Sequence, residues 1–440
     1  MFANTLYIIA LTIVSPIVLY RNLRHGRYRR GIGEKLLGLS RERAKSIRGN
    51  RSQCLWIHAV SVGEVNLLPG IVQRLSSSQG DVSIAVSTST DTGYDVAVKH
   101  FGADRVFFCP LDFSWAVKRT LRNLSPTRLI LAELELWPNL IRCATESDCP
   151  VLVMNARLSE KSAAGYQRFS MLTRSTFQRL AWVGCQDEAC SRRFLACGTP
   201  ADQITVTGSL KFDDAPTSRD NNDVTTRQQW AGIDPWHRVW MFGSTQAGEE
   251  VMALRIYQSI RQQYPDLRLI LVPRHPERFD AVASLVVSHG LRVHRRSIDE
   301  SLYDDQWNND TVILIDTVGE LRHWWGVSQI ATVGGSFGDR GGQNMLEPAG
   351  YGCAVSFGPN TRNFAEIADR LIQGNGAVRV VDEEALRTFV IKCIDDIPAA
   401  DALGHAATEV IRSHRGASQR TVAEIEAALK SRPAQKPLAA

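Results

Sequence analysis

The feature that most constrains this chain is an alternation. Short, nearly continuous apolar runs rich in valine and isoleucine are separated by stretches with helical, amphipathic spacing. In the first half the runs are CLWIHAV (54–60), VSIAVST (82–88), RVFFC (105–109), RLILAE (128–133), VLVMN (151–155) and AWVGC (181–185). A strand that is apolar on both faces must be covered on both, as in a parallel sheet wrapped by helices. Between the first two runs, Leu67, Leu68, Ile71, Val72 and Leu75 fall on one helical face. Strand, crossover helix and strand make a βαβ unit, so an α/β fold with a doubly wound sheet is expected.

The alternation then stops and starts again. The stretch FDDAPTSRDNNDVTTRQQ (212–229) is polar and nearly free of large apolar residues, and reads as a linker. A second series follows: RVWMFGS (238–244), RLILVP (268–273), TVILID (311–316), QIATVGG (329–335) and CAVSFG (353–358). Two halves of similar plan predict two facing Rossmann-like domains with a central cleft, ligands sitting at the C-terminal strand ends. The expected division is an anchor and basic segment at 1–35, a first domain at 36–212, a linker at 213–230, a second domain at 231–420 and a tail at 421–440. The nine cysteines are odd in number and scattered, with no CxxC pair, which argues against a disulfide framework or structural zinc and for a reducing compartment. A net charge of +5 is too small to point to nucleic acid, but suits an anionic substrate or membrane surface.

Residues 1–20, MFANTLYIIALTIVSPIVLY, carry no charged side chain, and Arg21, Arg24, Arg27, Arg29 and Arg30 follow. About 20 residues of helix just span a bilayer core. Arginines after the apolar stretch place the rest of the chain in the cytoplasm and attract anionic headgroups. A cleaved signal would have its charges first. The expectation is a single N-terminal anchor helix in the inner membrane; a shallow interfacial helix is the alternative, since Pro16 interrupts the stretch.

Several polar groups fall at the ends of the predicted strands. Glu64, in HAVSVGEVNLLPG, sits where the first strand turns into a helix. It suits a general base that takes a proton from an acceptor hydroxyl. The competing reading is a first-turn glutamate that complements the helix dipole, which would lower its pKa. Glu133 and Glu135, in AELELWPN, alternate onto one side, either as a hydroxyl-binding or acid/base pair or as a solvated strand end. Arg157, Lys161 and Lys211 are cations suited to phosphate or carboxylate, or else plain surface charge.

The second half is denser in signals. In FGSTQAGEE (242–250), a Gly-Ser-Thr turn leads into a helix whose free N–H groups would cradle a phosphate. Arg274 and His275 lie between two prolines in VPRHPERF, and Gly319 and Glu320 follow another strand. VGGSFGDRGGQNMLEPAGYG (333–352) is the strongest stretch. Its glycines, Gly335 among them, let backbone approach a ligand. Asn344 and Glu347 are three apart on a helix expected to begin near Gln343, and Glu347 suits a ribose diol. No metal-ligand spacing is present, so a nucleotide site without metal or other cofactor is expected, with leaving-group charge offset by cations and helix N-termini.

Together WIHAVSVGE, STSTDTGY, ELELWPN, NARLSEKS, GSLKFD, FGSTQAGEE, PRHPERF, GEL, GGSF, GGQNMLEPA and FGPNTRNF, in this order, resemble the 3-deoxy-D-manno-octulosonic acid (Kdo) transferases, membrane-anchored glycosyltransferases of the GT-B fold. The resemblance runs from the N-terminal apolar segment to about residue 420. It implies a lipopolysaccharide-synthesis enzyme that moves Kdo from CMP-Kdo to the anionic, tetraacylated disaccharide precursor of lipid A, with inversion and without a metal. By position it implies Glu64 as catalytic base. Ser244, Arg274, Gly319, Glu320, Ser336, Asn344 and Glu347 take the places of the CMP-binding set, with Thr245, His275 and Gly335 beside them. Arg157 and Lys211 are implied as cations near donor or acceptor charges.

Three histidines usual in the family are replaced, by Gln246, Arg340 and Gln343. Glutamine keeps a hydrogen bond but cannot titrate near neutral pH. Read as binding residues, these changes leave the activity in place. The alternatives are another GT-B nucleotide-sugar transferase or epimerase, and a catalytically impaired lipid-binding homologue. Intact Glu64 and Glu347 argue against the last.

Overall fold

A computed structural model of the chain describes residues 4, 5, 7, 30–78, 81–301 and 309–430. The expected anchor over 1–20 and the arginines at 21–29 lie outside the described residues, Asn4, Thr5 and Tyr7 apart. Among the described residues no helix is long and apolar enough to cross a membrane. The chain forms two compact units, one of Met1–Asp213 with Arg415–Ala440, the other of Asp214–His414.

The first unit is a seven-stranded sheet of β1 Gln53–His58, β2 Val82–Thr88, β3 Val106–Phe108, β4 Arg128–Ala132, β5 Val151–Ala156, β6 Leu180–Cys185 and β7 Ile204–Val206. Its order is β3-β2-β1-β4-β5-β6-β7, with every pairing parallel. The continuous apolar runs are explained by cover on both faces. Cys54 and Trp56 enter one buried cluster with Leu129, Leu131, Val151 and Val153, while Leu55 and Ile57 enter another with Ile130, Leu152 and Met154. Each fully buried side chain of this size contributes about 2 kcal/mol.

The second unit repeats the plan with β8 Arg238–Thr245, β9 Leu267–Pro273, β10 Arg292–Arg295, β11 Thr311–Leu314, β12 Ile330–Val333, β13 Ala354–Phe357 and β14 Ala377–Arg379. The order is β10-β11-β9-β8-β12-β13-β14, again all parallel. The helix Glu249–Ile260 buries Ala253, Leu254, Ile256, Tyr257 and Ile260 against Trp240, Phe242, Leu269 and Leu271. In each sheet the chain winds out to one side and then returns to the other side of its first strand. The reversal falls between β1 and β4 in one unit and between β8 and β12 in the other. Crevices at the C-terminal ends of such strand pairs are where doubly wound sheets bind ligands.

Two boundaries differ from the sequence reading. The polar stretch 213–230 holds the helix Asn222–Trp230, capped by Asn221 and closed by a buried Trp230. Arg219 donates to the carbonyls of Tyr351 at 2.7 Å and Gly326 at 3.1 Å, so the stretch is part of the second unit. Its low apolar content hid this: a few buried side chains, Val224 and Trp230 among them, and the Arg219 bonds to main-chain carbonyls fasten it. At the other end, the helix Ala417–Lys430 belongs to the first unit, where Ala417, Val422 and Ile425 complete a core cluster with Ile71, Leu75 and Leu152. Asp213 secures that return: its carboxylate accepts the N–H of Gly416 at 2.7 Å and that of Ser418.

Candidate active site

In the first unit the turn after β1 is built around Glu64. Ser61 precedes the short helix Val62–Val65, and Ser-x-x-Glu is the spacing in which a glutamate reaches back to the helix start. Here Glu64 accepts the N–H of Val60 at 2.8 Å and the hydroxyl of Ser61 at 2.9 Å. Burial pushes its pKa up to about 7, against the lowering effect of those two bonds, and the charges of Glu133 and Glu135 push the same way. Burial therefore wins over any dipole effect of a four-residue helix, and the carboxyl is poised near neutral pH, where a general base is most useful.

The STSTDTGY motif supports this turn. The Val60 carbonyl accepts from the hydroxyls of both Thr88, at 3.0 Å, and Thr90, at 3.1 Å. Thr90 also caps the helix Asp91–Phe101 through the N–H of Gly93. Position 93 must be glycine, since a Cβ there would lie 2.5 Å from Thr88 Oγ1 and 2.7 Å from Thr90 Oγ1.

Beside β1, at the end of β4, Glu133 has a left-handed backbone at φ 56°. Its carboxylate lies 3.8 Å from Lys211 Nζ. Glu135 accepts the Trp137 indole N–H at 2.8 Å, and burial raises its pKa, with the Glu133 charge adding to the effect. The structure thus brings Glu64, Glu133, Glu135 and Lys211 into one electrostatic cluster, while Arg157 is exposed and without an ion pair among the described residues.

Two residues not singled out by sequence stand in this region. Asn155, left-handed at φ 52°, accepts the Leu210 N–H at 3.0 Å and so sets the turn that carries Lys211; its buried Nδ2 has no partner. His58 is fully buried, with Nδ1 near the Ser87 carbonyl (3.1 Å) and hydroxyl (2.9 Å), and burial pulls its pKa down to about 4. It is a neutral imidazole. The signal for Asn155 was the tolerance of asparagine for left-handed backbone at a strand end. His58, inside an apolar run, offered none.

In the second unit the expected phosphate cradle is filled by the chain itself. Glu249 Oε2 accepts from the amides of Gln246 and Gly335, both at 2.8 Å, and Oε1 accepts from Ser336 at 3.1 Å and Phe337 at 3.2 Å. Burial raises the Glu249 pKa even against these four bonds. The free N–H groups expected at the helix start are therefore not all free. The glycine loop instead wraps a buried carboxylate, and a Cβ at Gly334 would lie 2.6 Å from the Ser244 carbonyl and 2.8 Å from Glu249 Oε2. Ser244 is itself left-handed, at φ 57°. Such strained positions cost about 1–3 kcal/mol each and persist where surrounding structure holds them, as at ligand sites.

The other candidates divide into engaged and open groups. Thr245 donates to Glu250 at 2.7 Å, and Glu250 takes a two-pronged bond from Arg278, so both are fully buried structure. Ser336 is fully buried between the Val333 carbonyl and the Gly358 amide. Glu320 is held by Arg296, Arg227 and Thr317; burial alone would raise its pKa, but these partners bring it below the usual range. Arg274 is exposed, His275 is half-exposed, and Gly319 has φ 93° with open space where a side chain would be. Asn344 donates to Glu347 at 3.2 Å, and burial raises the Glu347 pKa over the opposing charge of Arg322. The helix expected from Gln343 begins instead at Leu346, because Asn344 accepts the Leu346 N–H and acts ahead of it. Gln343 lies over the loop, its Cγ 3.3 Å from where a Cβ on Gly335 would be. Among the described residues no group of His, Cys, Asp and Glu is disposed to hold a metal ion.

Fold and site together define an α/β enzyme of two Rossmann-like units, with polar clusters at both strand-order reversals. The UDP-GlcNAc 2-epimerase of Neisseria meningitidis, solved with UDP-GlcNAc, shares this fold over 86% of the present chain and 100% of its own, with a TM-score of 0.57 and 11% sequence identity. Residues 31–214 match the family described as 3-deoxy-D-manno-octulosonic-acid transferase (kdotransferase). The 3-deoxy-D-manno-octulosonic acid transferase of Haemophilus influenzae is 33% identical over 428 residues, 94% of this chain and 96% of the relative. That of Bordetella pertussis is 31% identical over 382 residues, 84% and 86% of the two chains. The chain belongs to the 3-deoxy-D-manno-octulosonic acid transferase family and is a glycosyltransferase.

Proposed function

We propose that the chain transfers Kdo from CMP-Kdo to a lipid A precursor with inversion, using Glu64 as general base and no metal ion. The observation that carries this reading is the Glu64 carboxyl itself, fixed by Val60 and Ser61 and raised to a pKa of about 7. Deprotonated, it removes the proton of an acceptor sugar hydroxyl. The resulting oxygen attacks the ketosidic carbon of Kdo from the face opposite the phosphate, and CMP leaves. Lys211 and Arg157 offer charge for the acidic sugar or the phosphorylated acceptor, and Glu133 and Glu135 offer acceptors for hydroxyls.

In this reading the fold is of GT-B type, with the acceptor on the first unit and the nucleotide on the second. Arg274 meets the donor phosphate, Glu347 with Asn344 holds the ribose, and the Gly319 backbone approaches the base or sugar. Glu249 keeps the glycine loop in its binding shape without touching the donor. The apolar residues 1–20 and the arginines after them anchor the enzyme in the inner membrane with both units in the cytoplasm.

The test is direct. Purified chain is given CMP-Kdo and lipid A precursor, with CMP release and product mass as readouts. Release of CMP with a Kdo-sized mass gain is expected, unchanged by a metal chelator. No CMP release removes the transferase reading for this pair of substrates. Unchanged turnover in Glu64→Gln removes the base assignment alone.

A further inference from the structure

At the junction of two short helices of the first unit, Glu160–Arg168 and Ser170–Gln178, three large apolar side chains stand in water. Met171 is 99% exposed, Leu172 62% and Phe169 58%. The junction is not loosely folded. Phe177 on the second helix is fully buried, edge-on to Tyr166 and Phe194 at 5.1 and 5.7 Å between ring centroids. Contiguous apolar side chains held out by a rigid support mark a surface made to be covered.

The charge around them is one-sided. Residues 157–179 hold five basic side chains and one acidic. Lys161, Arg168 and Arg174 are exposed and make no ion pair among the described residues, while the one acid, Glu160, is paired with Arg193 at 3.1 Å. Arg168 lies 6.0 Å from the Phe169 ring, so a cation and an apolar ring share the corner. Protein interfaces are depleted in lysine at their centres, whereas apolar tips ringed by unpaired Lys and Arg match the headgroup region of an anionic bilayer.

We infer that this corner is a second membrane contact, separate from the N-terminal segment: Phe169, Met171 and Leu172 enter the headgroup boundary and Lys161, Arg168 and Arg174 meet lipid phosphates. The same unit holds the start of the apolar N-terminal segment, because Asn4 is bonded to Ser114 at 2.7 Å and Asn139 at 2.9 Å. Two contacts on one unit fix its tilt as well as its distance from the surface. The inference rests on the reading of a membrane-borne acceptor above, since a tilt matters only if the substrate stays in the bilayer.

All nine cysteines are buried, so Met171→Cys introduces one accessible thiol. The full chain carrying it is labelled with an environment-sensitive dye and reconstituted into vesicles of phosphatidylethanolamine and phosphatidylglycerol. A blue shift and quenching by lipids spin-labelled high on the acyl chain are expected at position 171. The same label on Val381→Cys, a 67% exposed site in the second unit, is expected to show neither. Quenching at 171 no greater than at 381 overturns the inference. Exchange of phosphatidylglycerol for phosphatidylcholine should reduce the quenching several-fold, and equal quenching overturns the role of the basic residues. A triple variant (Phe169→Ser, Met171→Ser, Leu172→Ser) should lose turnover several-fold on vesicle-embedded acceptor and keep it on detergent-dispersed acceptor; equal turnover on both overturns the tilting role. If the unsubstituted chain shows no turnover at all, the proposed reaction falls while the quenching still decides the membrane contact.

Discussion

The Glu249 carboxylate lies 2.8 Å from the Gly335 amide, and through that bond the first turn of a helix is tied to the glycine loop 86 positions later in sequence. Four backbone donors converge on one buried anion there. Exchange of an oxygen for an NH2 group turns an acceptor into a donor among donors. Glu249→Gln should therefore leave at least one buried amide unbonded, at about 1–3 kcal/mol per group. Chemical denaturation should show that loss, and KM for the donor should rise with a smaller change in kcat, since the loop changes shape and the base does not. Wild-type stability in the variant would remove the four-donor account.

As the proposed general base, Glu64 should set the pH dependence of turnover. The carboxyl acts as a base only when ionised, so the rate should rise as pH increases through about 7 and level off above it. In Glu64→Gln the ascending limb should disappear along with about a hundredfold to ten-thousandfold of the rate. The sign for stability is opposite. Folding raises this pKa, so the folded state holds the proton more tightly than the unfolded one. The burial penalty is absent at low pH and grows as pH rises from the ordinary carboxylate range to about 7. The melting temperature of Glu64→Gln relative to the native chain should thus be higher at pH 8 than at pH 4; a difference that is flat with pH would contradict the raised pKa.

Thr90 has two roles that separate experimentally. Thr90→Ala removes a helix cap, which costs about 1 kcal/mol. It also removes one of two hydroxyls on the Val60 carbonyl. Thr88→Val removes the other hydroxyl without touching a cap. Both variants should lower kcat several-fold with KM for donor unchanged, and Thr90→Ala alone should also lower the unfolding free energy by the capping amount. A Thr88→Val enzyme with native kcat would show that the Val60 carbonyl needs no second clamp.

Gln343 stands over the glycine loop, at a position where the family resemblance implies a histidine. If the position binds and does not carry a proton, Gln343→His should keep turnover within a few-fold, and the pH profile should gain no new limb between 5 and 7, the window in which imidazole titrates. A new limb would assign the position a proton-transfer role.

The two sheets were legible because parallel strands buried on both faces need unbroken apolar runs, and every run quoted above became a strand. The ends of the units were less so. Residues 213–230 are fastened by Arg219 to main-chain carbonyls, a kind of bond that leaves no hydrophobic period to read. The residues from Ala417 do carry helical spacing, but no local pattern says which core Val422 and Ile425 will join. At the site, the turn holding Glu64 was visible as strand followed by helix, and its pKa was not, since the helix start argued for lowering and burial decided the reverse. The glycine loop was visible as well. That its amides face Glu249 depended on a contact between β8 and β12, neighbours in the sheet that are far apart along the chain.

The placement of Ile425 in the core built on β1 and β5 has a consequence during synthesis. The amino-terminal lobe leaves the ribosome first, yet one of its walls is the helix Ala417–Lys430, translated after the whole of the second unit. It must wait, partly uncovered, while all of the second unit emerges and folds, so nascent chains that stall after His414 carry a complete second unit and an open first one.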